Sequence, residues 1–207
     1  MAHRLVATLV MALAAVSAAD AQDRMPPIPA QAMTDAQKKA AEEFRQARGT
    51  TLSGPFMALM RSPEVLSRAR AMGDYLRFKS VLPPRLSEFV ILMTAREWTQ
   101  HYEWNAHRAL ALKGGLDEKI VQAVAEGRRP VGMADDEAIL YDFFHELQRN
   151  QSVTDATYVR AVAKFGEQGI IDTIGIVGYY TLLAMVLNTA RTPVPSSAVP
   201  PLPLFPR

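Results

Sequence analysis

Residues 88 to 107 hold three carboxylates and two imidazoles, Glu88, Glu97, Glu103, His101 and His107, on a mostly apolar background. Water-facing helices are not composed this way, and neither are plain cores. Burial and neighbouring charge move the pKa values of such groups toward neutrality, which is the condition for proton transfer near pH 7. Glu103 and His107 stand four residues apart. On a helix that spacing puts both side chains on one face, where a carboxylate can orient the ring, raise its pKa or exchange a proton with it. Glu88 shares its helical face with Ile91, Leu92 and Ala95, while Leu86, Phe89, Val90 and Met93 fill the opposite stripe. A helix apolar on two sides is buried, so its carboxylate needs a partner or a proton. That partner is either functional or an arginine such as Arg85 or Arg96.

The remaining polar residues sort less sharply. Glu97 and His101 repeat the four-residue spacing, but Thr99 falls between them as a helix break, and the pair reads as solvated. His145-Glu146 opens a zinc-protease helix pattern, but position 149, where the second histidine belongs, is Arg149. Glu88, Glu103 and His107, with His101, leave open a metal set of two histidines and a carboxylate as an alternative. Tyr179, Tyr180 and Asn188 interrupt an apolar helix; each lines a pocket or is a satisfied core polar group. The chain has no cysteine, which excludes disulfides, thiolate nucleophiles and zinc–thiolate sites. A net charge of +2 and the lack of a basic run interleaved with aromatics argue against nucleic acid as a partner.

These residues need elements to position them. Residues 1–21 read as a secretory signal: His3 and Arg4, an uncharged apolar run from Leu5 to Val16, then Ala19-Asp20-Ala21 as a small-x-small cleavage site. The expected location is therefore periplasmic or secreted. Residues 22–33 form a Pro-rich linker. Residues 34–191 form a helical domain, because no segment alternates with period two between hairpin turns. Thr34-Asp35, Ser62-Pro63, Pro83-Pro84, Thr99, Asp117, Asp135 and Thr154 are predicted helix starts. Gly114-Gly115, Gly127 and the bend Gly166 to Gly169 are predicted stops. Ile170 to Ala190 reads as a central core helix rather than a membrane span, since Asp172 and Asn188 sit near its ends and no positive flank sets an orientation. Gly175 and Gly178 would admit a neighbouring helix at close range. Residues 192–207 contain six of the fourteen prolines and read as an extended arm, mobile or lying along a partner subunit.

Three stretches resemble the carboxymuconolactone decarboxylase and alkylhydroperoxidase D superfamily: Pro83 to Glu88, Tyr102 to His107, and Val177 to Asn188. The resemblance spans about Gly54 to Pro195. It implies an all-α, multi-helix bundle that assembles as a homo-oligomer, trimer or hexamer, with pockets near subunit interfaces and no cofactor. The peroxidase branch of the family carries two cysteines between its glutamate and histidine. Here those positions are Gln100 and Glu103, between Glu88 and His107, so thiol peroxidase activity is not expected. The resemblance then points to a lyase, a decarboxylase or isomerase acting on a small organic acid or lactone. In that reading Glu88, Glu103 and His107 are catalytic, and Arg85, Arg96, Gln100, Tyr180 and Asn188 contact the substrate. A metal-dependent enzyme on the same residues, or a non-catalytic small-molecule-binding protein, are the alternatives.

Overall fold

In this computed structural model, residues 23–195 and 202–203 are described; the expected signal segment lies outside them. Local chemistry sets most helix starts. Thr34 caps α1 (Asp35–Arg48) with a capping box in which the Gln37 side chain accepts from the Thr34 N–H at 2.9 Å. Prolines at the first turn open α2 (Pro55–Leu59), α3 (Pro63–Phe78) and α4 (Pro84–Glu97), where a missing N–H costs nothing. Asp117 caps α6 (Glu118–Ala125), and Thr154 caps α8 (Asp155–Ala190). Before α7 (Asp135–Asn150), Ala134 offers no side-chain acceptor, and Glu137 instead accepts from its backbone N–H at 2.8 Å. No strand occurs among the described residues, so the all-α expectation holds.

Two boundaries differ from expectation. Thr99 is not the cap of α5 (His101–Lys113). It turns the chain with φ 45°, and Gln100 caps the helix through its side-chain oxygen. The predicted four-residue bend at Gly166 to Gly169 shrinks to Gly166 alone, with φ 69° and ψ 170°; the helix resumes at once. Only glycine enters that backbone region without large strain.

The core is built around α4, whose residues from Leu86 to Arg96 are all buried. It packs against α5, α6, α7 and α8. The three-residue turn Trp98 to Gln100 folds α5 back along α4, which brings positions 88 and 107 face to face. Helix α8 is long and apolar enough to cross a membrane. Its inner face nonetheless packs on α2, α3, α4 and α7. Its buried Asp172 accepts from the Val81 N–H at 2.9 Å and the Tyr75 hydroxyl at 3.1 Å. Gly175 does allow close packing, since a Cβ there would lie 2.9 Å from Leu76. Gly178 does not, as it faces open space.

Both flanking segments lie against the body where they are described. In the segment read as a linker, the Arg24 N–H donates to the Ala190 carbonyl at 2.7 Å, and Ile28 and Met33 pack on the core. The C-terminal segment is not a free arm at residues 202–203. Leu202 is buried in the main core cluster, and its N–H donates to His101 Nδ1 at 3.1 Å.

Candidate active site

The hairpin of α4 and α5 places one imidazole between two carboxylates. His107 Nδ1 lies 2.7 Å from Glu88 Oε2, and His107 Nε2 lies 3.5 Å from Glu103 Oε2. All three side chains are buried. Helical spacing sets the second contact, and the α4–α5 turn sets the first. A carboxylate on Nδ1 selects the tautomer with the proton there, leaving Nε2 as an acceptor toward Glu103. The Tyr180 ring meets the imidazole edge-on at 5.0 Å and closes one side. Burial raises the Glu103 pKa above the ordinary glutamate value; His107 and Arg77 pull it down, and Glu88 adds to the rise. Tyr180 is pushed well above the usual phenol value, mainly by burial.

The trio borders a cavity of about 750 Å³, a size suited to a small-molecule ligand. Glu103, His107 and Tyr180 line it, and Glu88 stands behind His107 outside the lining. Tyr102, Tyr179 and Phe56 supply aromatic wall. Two glycines make room for these rings. A Cβ on Gly73 would fall 2.2 Å from the Tyr179 hydroxyl, and one on Gly54 2.8 Å from the Tyr102 ring. Burial takes the Tyr179 hydroxyl up to about 12.

Four of the five residues assigned to substrate contact lie elsewhere. Arg85 is held by Asp136 at 2.7 Å and by Glu137, tying the start of α4 to the start of α7. Arg96 is buried on the far side of α4 and donates to the Pro203 carbonyl at 2.7 Å. Gln100 caps α5 and donates to Asn188 Oδ1 at 2.8 Å, while Asn188 donates to the Trp98 carbonyl at 3.2 Å. This pair locks the α4–α5 turn onto α8 and does not line the cavity. Of the five, Tyr180 alone lines the cavity. Glu97 is half-buried away from the trio and lines no part of the cavity, and His101 receives Leu202. His145 packs on Tyr141 and Phe144, and burial with Arg149 and Arg129 lowers its pKa to about 4.

The cations that do line the cavity are Arg48, Arg77 and Lys79. Sequence reasoning missed them because they stand outside the Glu88–His107 stretch, on α1 and at the end of α3, and only the packing of those helices brings them to the cavity. The one local signal is that Asp74, Arg77 and Phe78 share a helical face.

As for a metal, the two carboxylates contact opposite nitrogens of one ring, so the three groups do not converge on a common point. No group of three or more His, Cys, Asp or Glu suited to hold an ion occurs among the described residues.

The fold is that of the alkylhydroperoxidase D core. The chain superposes on an uncharacterized peroxidase-related protein from Ralstonia eutropha JMP134, described as an alkylhydroperoxidase AhpD core. The TM-score is 0.67 at 18% identity, covering 84% of this chain and 92% of that one. A second uncharacterized peroxidase-related protein, from Silicibacter sp. TM1040, gives a TM-score of 0.66 at 15% identity, covering 90% and 97%. Neither a protein-family model nor a curated protein matches the sequence.

Proposed function

We propose that the protein is a cofactor-independent lyase or isomerase, acting by acid–base catalysis on a small organic acid or lactone, as an exported homo-oligomer. One observation carries the chemistry: a Glu88–His107–Glu103 line of which only the last two members open onto the cavity. Glu88 holds the Nδ1 proton and fixes the ring, as the aspartate does in a catalytic triad. Glu103 keeps its proton to a higher pH than an exposed glutamate, so it can act as the acid. In a decarboxylation, loss of carbon dioxide leaves a carbanion or enolate; Glu103 delivers a proton to that carbon, and the resulting carboxylate regains one from solvent by way of His107. In an isomerisation the same pair removes and returns a proton.

The test is a panel of aromatic acids, lactones and aldehydes incubated in heavy water, with carbon dioxide release and deuterium incorporation read together. A turned-over member is expected, and Glu103→Gln and His107→Gln should each lower its rate by about 100-fold or more while staying folded. Near-wild-type turnover in both variants would overturn the reading.

A further inference from the structure

The acid–base reading uses one part of the cavity and leaves its cations unexplained. Arg48, Arg77 and Lys79 face two lining carboxylates, Asp74 and Glu103. Asp74 is already committed, accepting from Arg48 Nε at 2.8 Å and from Arg70 Nη1 at 2.7 Å. Arg77 is half-buried, yet no carboxylate lies within ion-pair distance of it among the described residues; its neighbour is the Phe78 ring, 5.3 Å from the guanidinium carbon. Arg48 is more enclosed. Its guanidinium lies over the rings of Phe56 and Phe44, at 4.6 and 5.1 Å, and its Nη2 is buried without a hydrogen-bond partner. A buried guanidinium nitrogen lacking an acceptor is a standing cost that an incoming anion removes. Asp74 and the Tyr179 hydroxyl, both hydrogen-bonded to Arg48, hold its charge at the cavity wall.

We infer that this part of the cavity is a carboxylate subsite, in which Arg77 and Arg48 Nη2 hold the carboxylate of a flat, apolar acid against Tyr179 and Phe56. Guanidinium groups suit this task because their planar fork matches a carboxylate. Lys79, exposed at the rim, draws anions in. The subsite sharpens the proposed function, on which it rests for the reaction alone. A carboxylate gripped by two guanidinium groups is stabilised before reaction, which opposes its own loss as carbon dioxide. The bound carboxylate is therefore a handle, and the reacting centre is a second group of the same molecule, presented to Glu103 and His107.

The probe is 2-naphthoate, compared with its neutral amide, 2-naphthamide, by calorimetric titration at fixed ionic strength. Wild-type protein is expected to bind the acid at least about tenfold more tightly than the amide, a difference of about 1.4 kcal/mol. Arg77→Gln should erase that preference while leaving amide affinity within about twofold, and Arg77→Lys should restore part of it, having the charge without the fork. Equal binding of acid and amide by wild type, no binding of either at millimolar concentration, or an undiminished preference in Arg77→Gln would each overturn the subsite. The readout does not involve turnover. A lost preference in Arg77→Gln beside an inert wild type would remove the lyase reading and keep the subsite, and an intact preference beside an active wild type would do the reverse.

Discussion

A carboxyl group 4% exposed, one helical turn from an imidazole, titrates above the ordinary glutamate value chiefly because burial disfavours its charge. His107 and Arg77 oppose that rise and Glu88 reinforces it. The consequence for stability has a definite sign. Between the unfolded and the raised folded pKa, the native protein still binds a proton that the unfolded chain has released. Stability from this group is therefore full below the unfolded value and falls as pH rises through that window. Glutamine cannot ionise and fills nearly the same volume. Glu103→Gln is expected to raise the melting temperature over wild type at pH 8 and to give a smaller gain at pH 4, while lowering turnover by about 100-fold or more. A gain equal at both pH values would mean that charge burial is not what Glu103 contributes. The same residue then carries both a stability cost and the acid role proposed for it, the usual trade at a preorganised site.

At the scale of elements, α8 holds two glycines whose replacement should have opposite effects. Gly166, with its φ of 69°, is the kink that lets one helix serve two directions. Gly166→Ala forces a side chain into that backbone region and should cost about 1–3 kcal/mol in urea denaturation. Gly178 has helical backbone and open space around it. Gly178→Ala should stabilise by about 0.5–1 kcal/mol through helix propensity and a less flexible unfolded chain. Equal effects from the two would refute the kink argument. These glycines also mark how far the sequence could be read. Helix starts were legible wherever a Thr, Asp or Pro satisfied the first turn, because that chemistry is local. The Glu88–His107–Glu103 set was legible because a short hairpin joins its members. The partners of Arg85, Arg96 and Gln100 were not, nor were Arg48 and Arg77. Each depends on which helix comes to lie beside it, and side-chain spacing along one helix carries no record of that. Thr99 misled for a related reason: Thr and Gln can both cap, and the turn's backbone geometry favoured Gln100.

At the scale of the whole molecule, Leu202 and Pro203 pack at the corner where α4 meets α5. Leu202 is 4% exposed in the main core cluster. Arg96 donates to the Pro203 carbonyl at 2.7 Å, and His101 Nδ1 accepts from the Leu202 N–H at 3.1 Å. That last bond requires Nδ1 to be unprotonated. Burial first, and the Arg96 charge second, hold the His101 pKa below its ordinary value of 6.5. A histidine with a lowered folded pKa contributes stability that is present above the unfolded value and lost as pH falls through the folded one. Docking of the segment and acid sensitivity should then share a cause. Removing residues 196–207 takes Leu202 out of the core, and at pH 7.5 the truncated chain should be less stable by about 2 kcal/mol, the scale of burying one leucine. His101 becomes more exposed in the truncated chain, so its pKa should return toward the ordinary value and its contribution to acid sensitivity should shrink. The stability difference between full-length and truncated protein should accordingly narrow between pH 7.5 and pH 5, measured by denaturant titration at each pH. A truncation without effect at pH 7.5 would show that Leu202 adds nothing to the core, and a difference that stayed constant with pH would separate His101 from the docking of the segment.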